Sequence, residues 1–325
     1  MPLQCLTFLR TGMSSLSLLW VVAPMQSMIL AGLKSLYKSP SSLNNAVVSM
    51  GLKRILSRSA KALASLAGYQ LLRRPGGPSD RLLLSCYGTL EAASEPASIR
   101  LGRAGKVFSS LYLQQLLRRY PIDLCIDVGA NEGQFAGLMR ELGYRHRLVS
   151  IEPIPWLAQE LLRRSKDDPG WSVIEGLVAL DPGEREFHVF GSTDFSSLHS
   201  PSTLGMREFG EYLSSQQLIR VHAQHLDLWL EQEAIPLPET GRIFLKSDTQ
   251  GSDLEVLKGA GGILSLTAIV LVEVSYAPIY STEANANEII SFLAEQGFNL
   301  AGLFPIAFTK DGLDLIEADA YFIRT

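Results

Sequence analysis

The chain predicts an α/β fold built on a mostly parallel sheet, and three observations predict it. Short apolar runs of strand length alternate with stretches of helical periodicity from about residue 108 onward. One run, residues 124–126, ends in Asp127 and turns through Gly129, Ala130 and Asn131 into a helix at about Gly133. A second run, residues 148–151, ends in another acid, Glu152, twenty-five residues after Asp127. A strand, a glycine turn and a helix start make a ligand site, because glycine lets the backbone come close and the first N–H groups of a helix are unpaired. In an open α/β sheet such a site lies at the carboxyl ends of the strands, where strand order reverses.

What the turn lacks narrows the ligand. A dinucleotide fingerprint counted from Gly129 needs glycine at 131 and 134, where the chain has Asn131 and Gln134, and the phosphate-loop lysine pattern is absent. Glu152 at the second strand tip suits two ribose hydroxyls, since a carboxylate accepts both hydrogen bonds. Acids beside the ligand favour a positively charged centre over a pyrophosphate. The ligand predicted is S-adenosylmethionine, whose sulfonium is cationic, held by Asp127, Gly129, Asn131, Gly133 and Glu152. The plain alternative is an ordinary βα turn that binds no nucleotide.

Five blocks carry a resemblance to a known family: DVGANEGQFA from Asp127, SIEP from Ser150, FSSL from Phe195, LKSDTQGSDLEVLKGA from Leu245 and VEVS from Val272. Together they resemble the FkbM-type methyltransferases over roughly residues 112–324. The resemblance implies a Rossmann-like class I methyltransferase fold with a mostly parallel seven-stranded sheet. It implies S-adenosylmethionine-dependent methylation, mostly of oxygen on sugars and natural products. The family's fourth block usually reads lysine, an aliphatic residue, aspartate, valine, glutamate, glycine. Here it reads Lys246, Ser247, Asp248, Thr249, Gln250, Gly251, a departure that loosens the substrate assignment.

Composition sets the outer bounds. The 325 residues are 46 % apolar, enough for one large α/β domain with an appendage. Residues 1–79 hold nine basic and no acidic residues, and the rest hold 20 basic and 33 acidic ones. A basic head on an acidic body argues against nucleic-acid binding by the main domain and lets the head meet an anionic surface. Cys5, Cys86 and Cys125 lie too far apart for metal spacing or a disulfide framework, which suits a reducing, cytoplasmic setting.

In chain order, residues 1–49 read as a poorly ordered or upstream extension. The uncharged stretch 11–33 is long enough to span a bilayer but is diluted by Gly12, Pro24, Gln26 and serines. Residues 50–79 read as a basic amphipathic helix over 51–74 and a Pro/Gly linker; the helix can rest on an anionic membrane or pack on the domain or a second subunit. Residues 80–325 form the predicted methyltransferase domain. Within it, 80–105 read as an irregular cover, 108–120 as a helix and 171–180 as the third strand. Residues 185–226 read as an inserted β-hairpin and loop that walls the substrate, with no helix predicted inside. Ser252 is the expected cap of a helix over 253–258, with Glu255 in capping-box spacing.

The chemistry expected is an in-line displacement in which the protein aligns a hydroxyl and removes its proton. Asp248 follows the fourth main strand and is the leading base. Lys246, two residues earlier, can pair with an acid. Glu273 is an acid in an apolar run and is either catalytic or a satisfied structural carboxylate. Ser196 and Ser197 are placed to hydrogen-bond cofactor or substrate. No dedicated metal ligands are assigned, although Asp248 and Glu273 could hold magnesium with waters. His199 can enter the cleft, while His222 and His225 read as surface or structural residues. The acceptor expected is a sugar, glycan or glycosylated natural product. A nicotinamide-dependent oxidoreductase and a non-catalytic nucleotide-binding module are the alternatives.

Overall fold

The computed structural model describes residues 95–325, apart from 215 and 239–241, and two short strands nearer the N-terminus. The chain divides into two units, Met1–Gly76 and Gly77–Thr325. In the first, the strands Phe8–Arg10 and Tyr69–Leu71 pair antiparallel. The basic helix expected over 51–74, its linker and the rest of the extension lie outside the described residues. Among the described residues no helix is long and apolar enough to cross a membrane.

The second unit opens its described part with helix α1 (Ala97–Arg119). Then follow β1 (Leu124–Val128), α2 (Gln134–Glu141), β2 (Arg147–Glu152), α3 (Pro155–Ser165), β3 (Trp171–Glu175) and β4 (Leu177–Val178). Next come β5 (Gly183–Phe190), α4 (Thr203–Leu213), β6 (Gln216–Gln224), α5 (Leu226–Gln232), β7 (Ile243–Ser247), α6 (Asp253–Lys258) and α7 (Gly262–Leu266). The unit closes with β8 (Thr267–Ser275), α8 (Ala286–Glu295), β9 (Phe298–Phe308) and β10 (Leu315–Arg324).

Seven strands form the main sheet in the order β9-β10-β8-β7-β1-β2-β3. β3, β2, β1, β7 and β8 run parallel, and β10 pairs antiparallel with both β8 and β9. This is the Rossmann-like arrangement that the sequence predicts. Strand order reverses at β1, which has β2 on one side and β7 on the other, so the crevice opens above their carboxyl ends. All five residues of β1 and of β7 are buried, as expected where helices cover both faces of a parallel sheet. Alternation along the strands divides the core. Leu124, Ile126, Val128 and Leu245 serve one face, while Cys125, Leu148, Phe244 and Leu271 serve the other. Asp127 and Lys246 therefore belong to the face of Cys125 and Phe244.

Several elements differ from the sequence reading, each for a physical reason. The third strand breaks at Gly176, where the Trp229 ring packs so close that a Cβ would meet its Cζ2 at 2.3 Å. β4, just beyond the break, leaves the main sheet and joins a second one in the order β4-β6-β5. Residues 97–105 are the first turns of α1, not an irregular cover. Gly102 and Gly105 look like helix breakers but let α1 lie directly on the β9 backbone; Cβ atoms there would stand 2.2 Å from the Ile306 oxygen and 1.6 Å from the Pro305 oxygen. The unpredicted α4 is capped by Ser202, whose Oγ accepts from the Gly205 N–H at 3.0 Å. Ser252 does not cap α6; its hydroxyl lies 3.2 Å from His199 Nε2. The capping box falls instead on α8, between Asn285 and Glu288.

Candidate active site

The site grows from two neighbouring strand tips. Parallel pairing of β1 and β7 sets Asp127 beside Lys246. The Asp127 carboxylate is fully buried and lies 2.9 Å from Lys246 Nζ. Burial lifts the Asp127 carboxyl above its ordinary range against the pull of Lys246. Burial also works against the Lys246 ammonium, but Asp127 and Asp248 outweigh it and hold that group above its ordinary value. The same ammonium stands 3.5 Å from Asp248 Oδ2 and 5.5 Å from the Phe135 ring centre.

The turns after β1 and β7 touch backbone to backbone. At Gly129, with φ at 76°, a Cβ would come within 2.0 Å of the Asp248 carbonyl oxygen, so only glycine fits. Asn131 follows in the left-handed region at φ 46°. Its N–H donates to Glu152 Oε2 at 2.7 Å, and the Ile154 N–H donates to Glu152 Oε1 at 2.9 Å. Burial pushes the Glu152 carboxyl up to about 7, although both backbone donors favour the ionised form. The Asn131 side-chain amide donates to Asp194 from the insertion, and its Oδ1 is buried with no hydrogen-bond partner.

Above these tips lies a cavity of 550 Å³. One half is walled by Gly129, Asn131, Glu152, Ile154, Val178 and Ser196. The other half is walled by Asp248, Gln250, Glu273, Glu317, Asp319 and Lys106. In the β8–β10 ladder Glu273 stands opposite Asp319, and Glu317 is two residues along on the same face. Burial, then Glu317 and Asp248, push the Glu273 carboxyl well above its ordinary range. Burial, then Glu283 and Asp248, push Glu317 up to about 8. Burial thus disfavours the ionised form of Glu273, whose Oε1 accepts from Gln250 Nε2 at 3.2 Å.

Seven of the ten residues singled out from sequence line this cavity: Gly129, Asn131, Glu152, Ser196, Lys246, Asp248 and Glu273. Three do not line it. Asp127 lies beneath the wall, paired with Lys246. Gly133 is the left-handed N-cap of α2 and faces α3, where a Cβ would meet Leu161 Cδ2 at 2.7 Å. Ser197 is buried and donates to the Gln250 carbonyl oxygen at 2.5 Å, tying the insertion to the β7–α6 turn. His199 does not enter the cleft either; Ser252 and Thr282 hold it, the latter at 2.6 Å. His222 meets Glu184 and His225 meets the Leu180 carbonyl. Among the described residues no group of three or more His, Cys, Asp or Glu side chains is arranged to hold a metal ion.

Sequence reasoning missed Lys106, Asp194, Tyr280, Glu317 and Asp319. A signal existed for one pair: acids alternating at 317 and 319 in a strand share a face. Lys106 and Asp194 carried no local signal, because α1 and the insertion reach the cavity only through tertiary packing.

A methyl-donating nucleoside fits what is present. Asn131 Oδ1 is a buried acceptor without a partner, Glu152 is fixed by two backbone donors with lone pairs to spare, and Gly129 opens the turn. Ile154, Leu177, Val178 and Phe187 supply an apolar wall on the same side.

Sheet order and strand-tip acids together define a Rossmann-like, class I methyltransferase architecture. The model of the methyltransferase FkbM domain matches residues 127–300, over half of the chain, and the chain belongs to that family. It is a methyltransferase, with S-adenosylmethionine as the methyl donor. A comparison with curated proteins gives no match. Among solved structures, it is similar to magnesium protoporphyrin IX methyltransferase from Synechocystis PCC 6803 with bound SAM (10 % identity, 70 % of this chain and 82 % of that one, TM-score 0.39). Another is 1,6-didemethyltoxoflavin-N1-methyltransferase from Burkholderia thailandensis (10 % identity, 78 % and 92 % covered, TM-score 0.36). A third is fibrillarin from Aeropyrum pernix with natively bound S-adenosyl-L-methionine (13 % identity, 66 % and 74 % covered, TM-score 0.36).

Proposed function

We propose that this chain methylates a hydroxyl oxygen of a sugar, glycan or glycosylated natural product. The observation that carries the reading is Asp248. Its side chain is 38 % exposed at the tip of β7, in the same cavity as Glu152. The cofactor, when bound, supplies a methyl group activated on a cationic sulfur and loses it to the acceptor oxygen. The residues of the chain do the rest. Glu152 and Asn131 hold the ribose side. A sugar hydroxyl is a poor nucleophile at neutral pH, so Asp248 takes its proton as the oxygen reacts and later returns it to water. Lys246 holds that carboxylate from below. Glu273, a buried carboxyl held above its ordinary range, lines the same cavity and can hydrogen-bond the acceptor beside Asp248. The residues after β7, Asp248-Thr249-Gln250-Gly251, carry no aromatic Pro-Pro amide-binding motif, which favours oxygen over nitrogen.

The test is methyl transfer from tritiated S-adenosylmethionine into the glycan fraction of a cell extract, beside cofactor binding by calorimetry. Glu152→Ala should weaken cofactor binding about tenfold or more, as loss of hydrogen bonds to a charged group implies. Asp248→Ala should keep binding within about twofold and lower transfer by about a hundredfold or more. Label confined to protein or nucleic acid would remove the carbohydrate acceptor, and full transfer by Asp248→Ala would remove the base.

A further inference from the structure

Gln250 occupies a costly place for what it gives. Its φ is 52°, a left-handed conformation that strains a non-glycine residue. The side chain answers with bonds that join three parts of the cavity. Nε2 donates to Asp248 Oδ1 and to Glu273 Oε1, each at 3.2 Å. The Tyr280 hydroxyl donates to the Phe195 carbonyl oxygen at 2.7 Å and shares that proton with Gln250 Oε1 at 3.0 Å. The backbone carbonyl accepts from Ser197. The Asp248 carboxylate sets the amide's orientation, since the reverse would turn Oε1 toward an acceptor. A glutamate here, usual in the family block, would put a third carboxyl beside Asp248 and Glu273.

The charges around Asp248 show why a neutral donor matters. Lys246 stands below it on β7. Asp127 lies on β1, Glu273 on β8, Glu317 and Asp319 on β10, and Lys106 on α1. Among the described residues, Lys246 and Gln250 hold the Asp248 carboxylate by direct contact.

We propose that Gln250 is a positioning residue: its amide, braced by Tyr280 and Ser197, holds the Asp248 carboxylate across the cleft from the methyl donor and spaces it from Glu273. This rests on the reading of Asp248 as the base beside that donor. Two ligands that need no acceptor read the carboxylate. Sinefungin carries an ammonium on the carbon that replaces the methylsulfonium, and S-adenosylhomocysteine carries neither charge nor methyl at its sulfur. The ratio of their dissociation constants, by calorimetry near neutral pH, measures the carboxylate opposite. Wild type should favour sinefungin by about tenfold, the worth of one charge-assisted contact. Gln250→Met keeps the length and the unbranched Cβ and removes only the amide. It should abolish most of that preference while leaving S-adenosylhomocysteine affinity within about twofold. Asp248→Asn should do the same, and the double variant should lose no more than either single one. A merely structural Gln250 would weaken both ligands together and leave the ratio intact. If Asp248→Asn loses the preference and Gln250→Met retains it, the positioning role is overturned. If Asp248→Asn also retains it, the reading of Asp248 falls and takes this proposal with it.

Discussion

Lys246 is committed inward before it can do anything in the cleft. Its ammonium pairs with fully buried Asp127, and removing either partner leaves an uncompensated charge in the core. Lys246→Met alone should lower stability by about 3–5 kcal/mol, read from urea unfolding midpoints at unchanged slope. Replacing both, Asp127→Leu with Lys246→Met, should recover most of that loss, because an apolar pair carries no desolvation penalty. A double variant as unstable as the single one would show that the pair itself supports the fold. Much of the site was legible at this scale. Glu152, Gly129 and Asp248 stand at strand ends or in glycine turns, where chain position alone implies reach into a crevice. Asp127 misled because strand ends alternate in face; its partner 119 residues away in sequence, yet on the adjacent strand of the sheet, decides that it points down and not out. Gln250 showed only as a departure from a family block, since its bonds depend on Tyr280 and Glu273 arriving from elsewhere.

Helix α1 illustrates the same limit for whole elements. Glycines at 102 and 105 lower helix propensity, so periodicity placed the helix only from residue 108. The structure spends that propensity on contact: the two glycines seat α1 on β9, which brings Lys106 and Ser109 to the cavity wall. Gly105→Ala should therefore destabilise the fold by about 1–3 kcal/mol, although alanine in an exposed helix would stabilise it by about 1 kcal/mol. Chemical denaturation gives the sign, and a stabilised variant would mean that α1 stands clear of β9. The parallel strands were the easiest elements to read, because burial on both faces makes them continuous apolar runs. The break at Gly176 and the helix α4 were not. Both lie against partners distant in sequence: Gly176 under the Trp229 ring, and the start of α4 on the Ile279 carbonyl, which accepts from the Ser202 N–H at 2.8 Å.

Across the whole molecule, the main unit keeps carboxyl groups where water is scarce. Burial raises Glu152 and Glu283 from an ordinary 4.5 to about 7, Asp253 from 3.8 to about 6, and Glu317 from 4.5 to about 8. For a carboxyl whose folded value is raised, the folded state holds a proton that the unfolded state has already released. Its contribution is complete below the unfolded value and is lost as pH rises toward the folded one. Each pH unit in that window removes about 1.4 kcal/mol per fully buried group. The melting temperature of the ligand-free protein should therefore fall between about pH 5 and about pH 8, and a scan with a maximum above pH 7 would contradict the burial of these acids. The cofactor should counter the fall. Ribose hydroxyls bond best to ionised Glu152, and a cationic centre favours carboxylates over carboxylic acids, so binding is linked to proton release. Saturating S-adenosylmethionine should then raise the melting temperature more at about pH 8 than at about pH 6, where Glu152 must first give up its proton. Glu152→Gln cannot release that proton and should show a smaller increment that changes less with pH. Equal increments in the wild-type chain at both pH values would mean that the acid at the tip of β2 does not meet the cofactor at all.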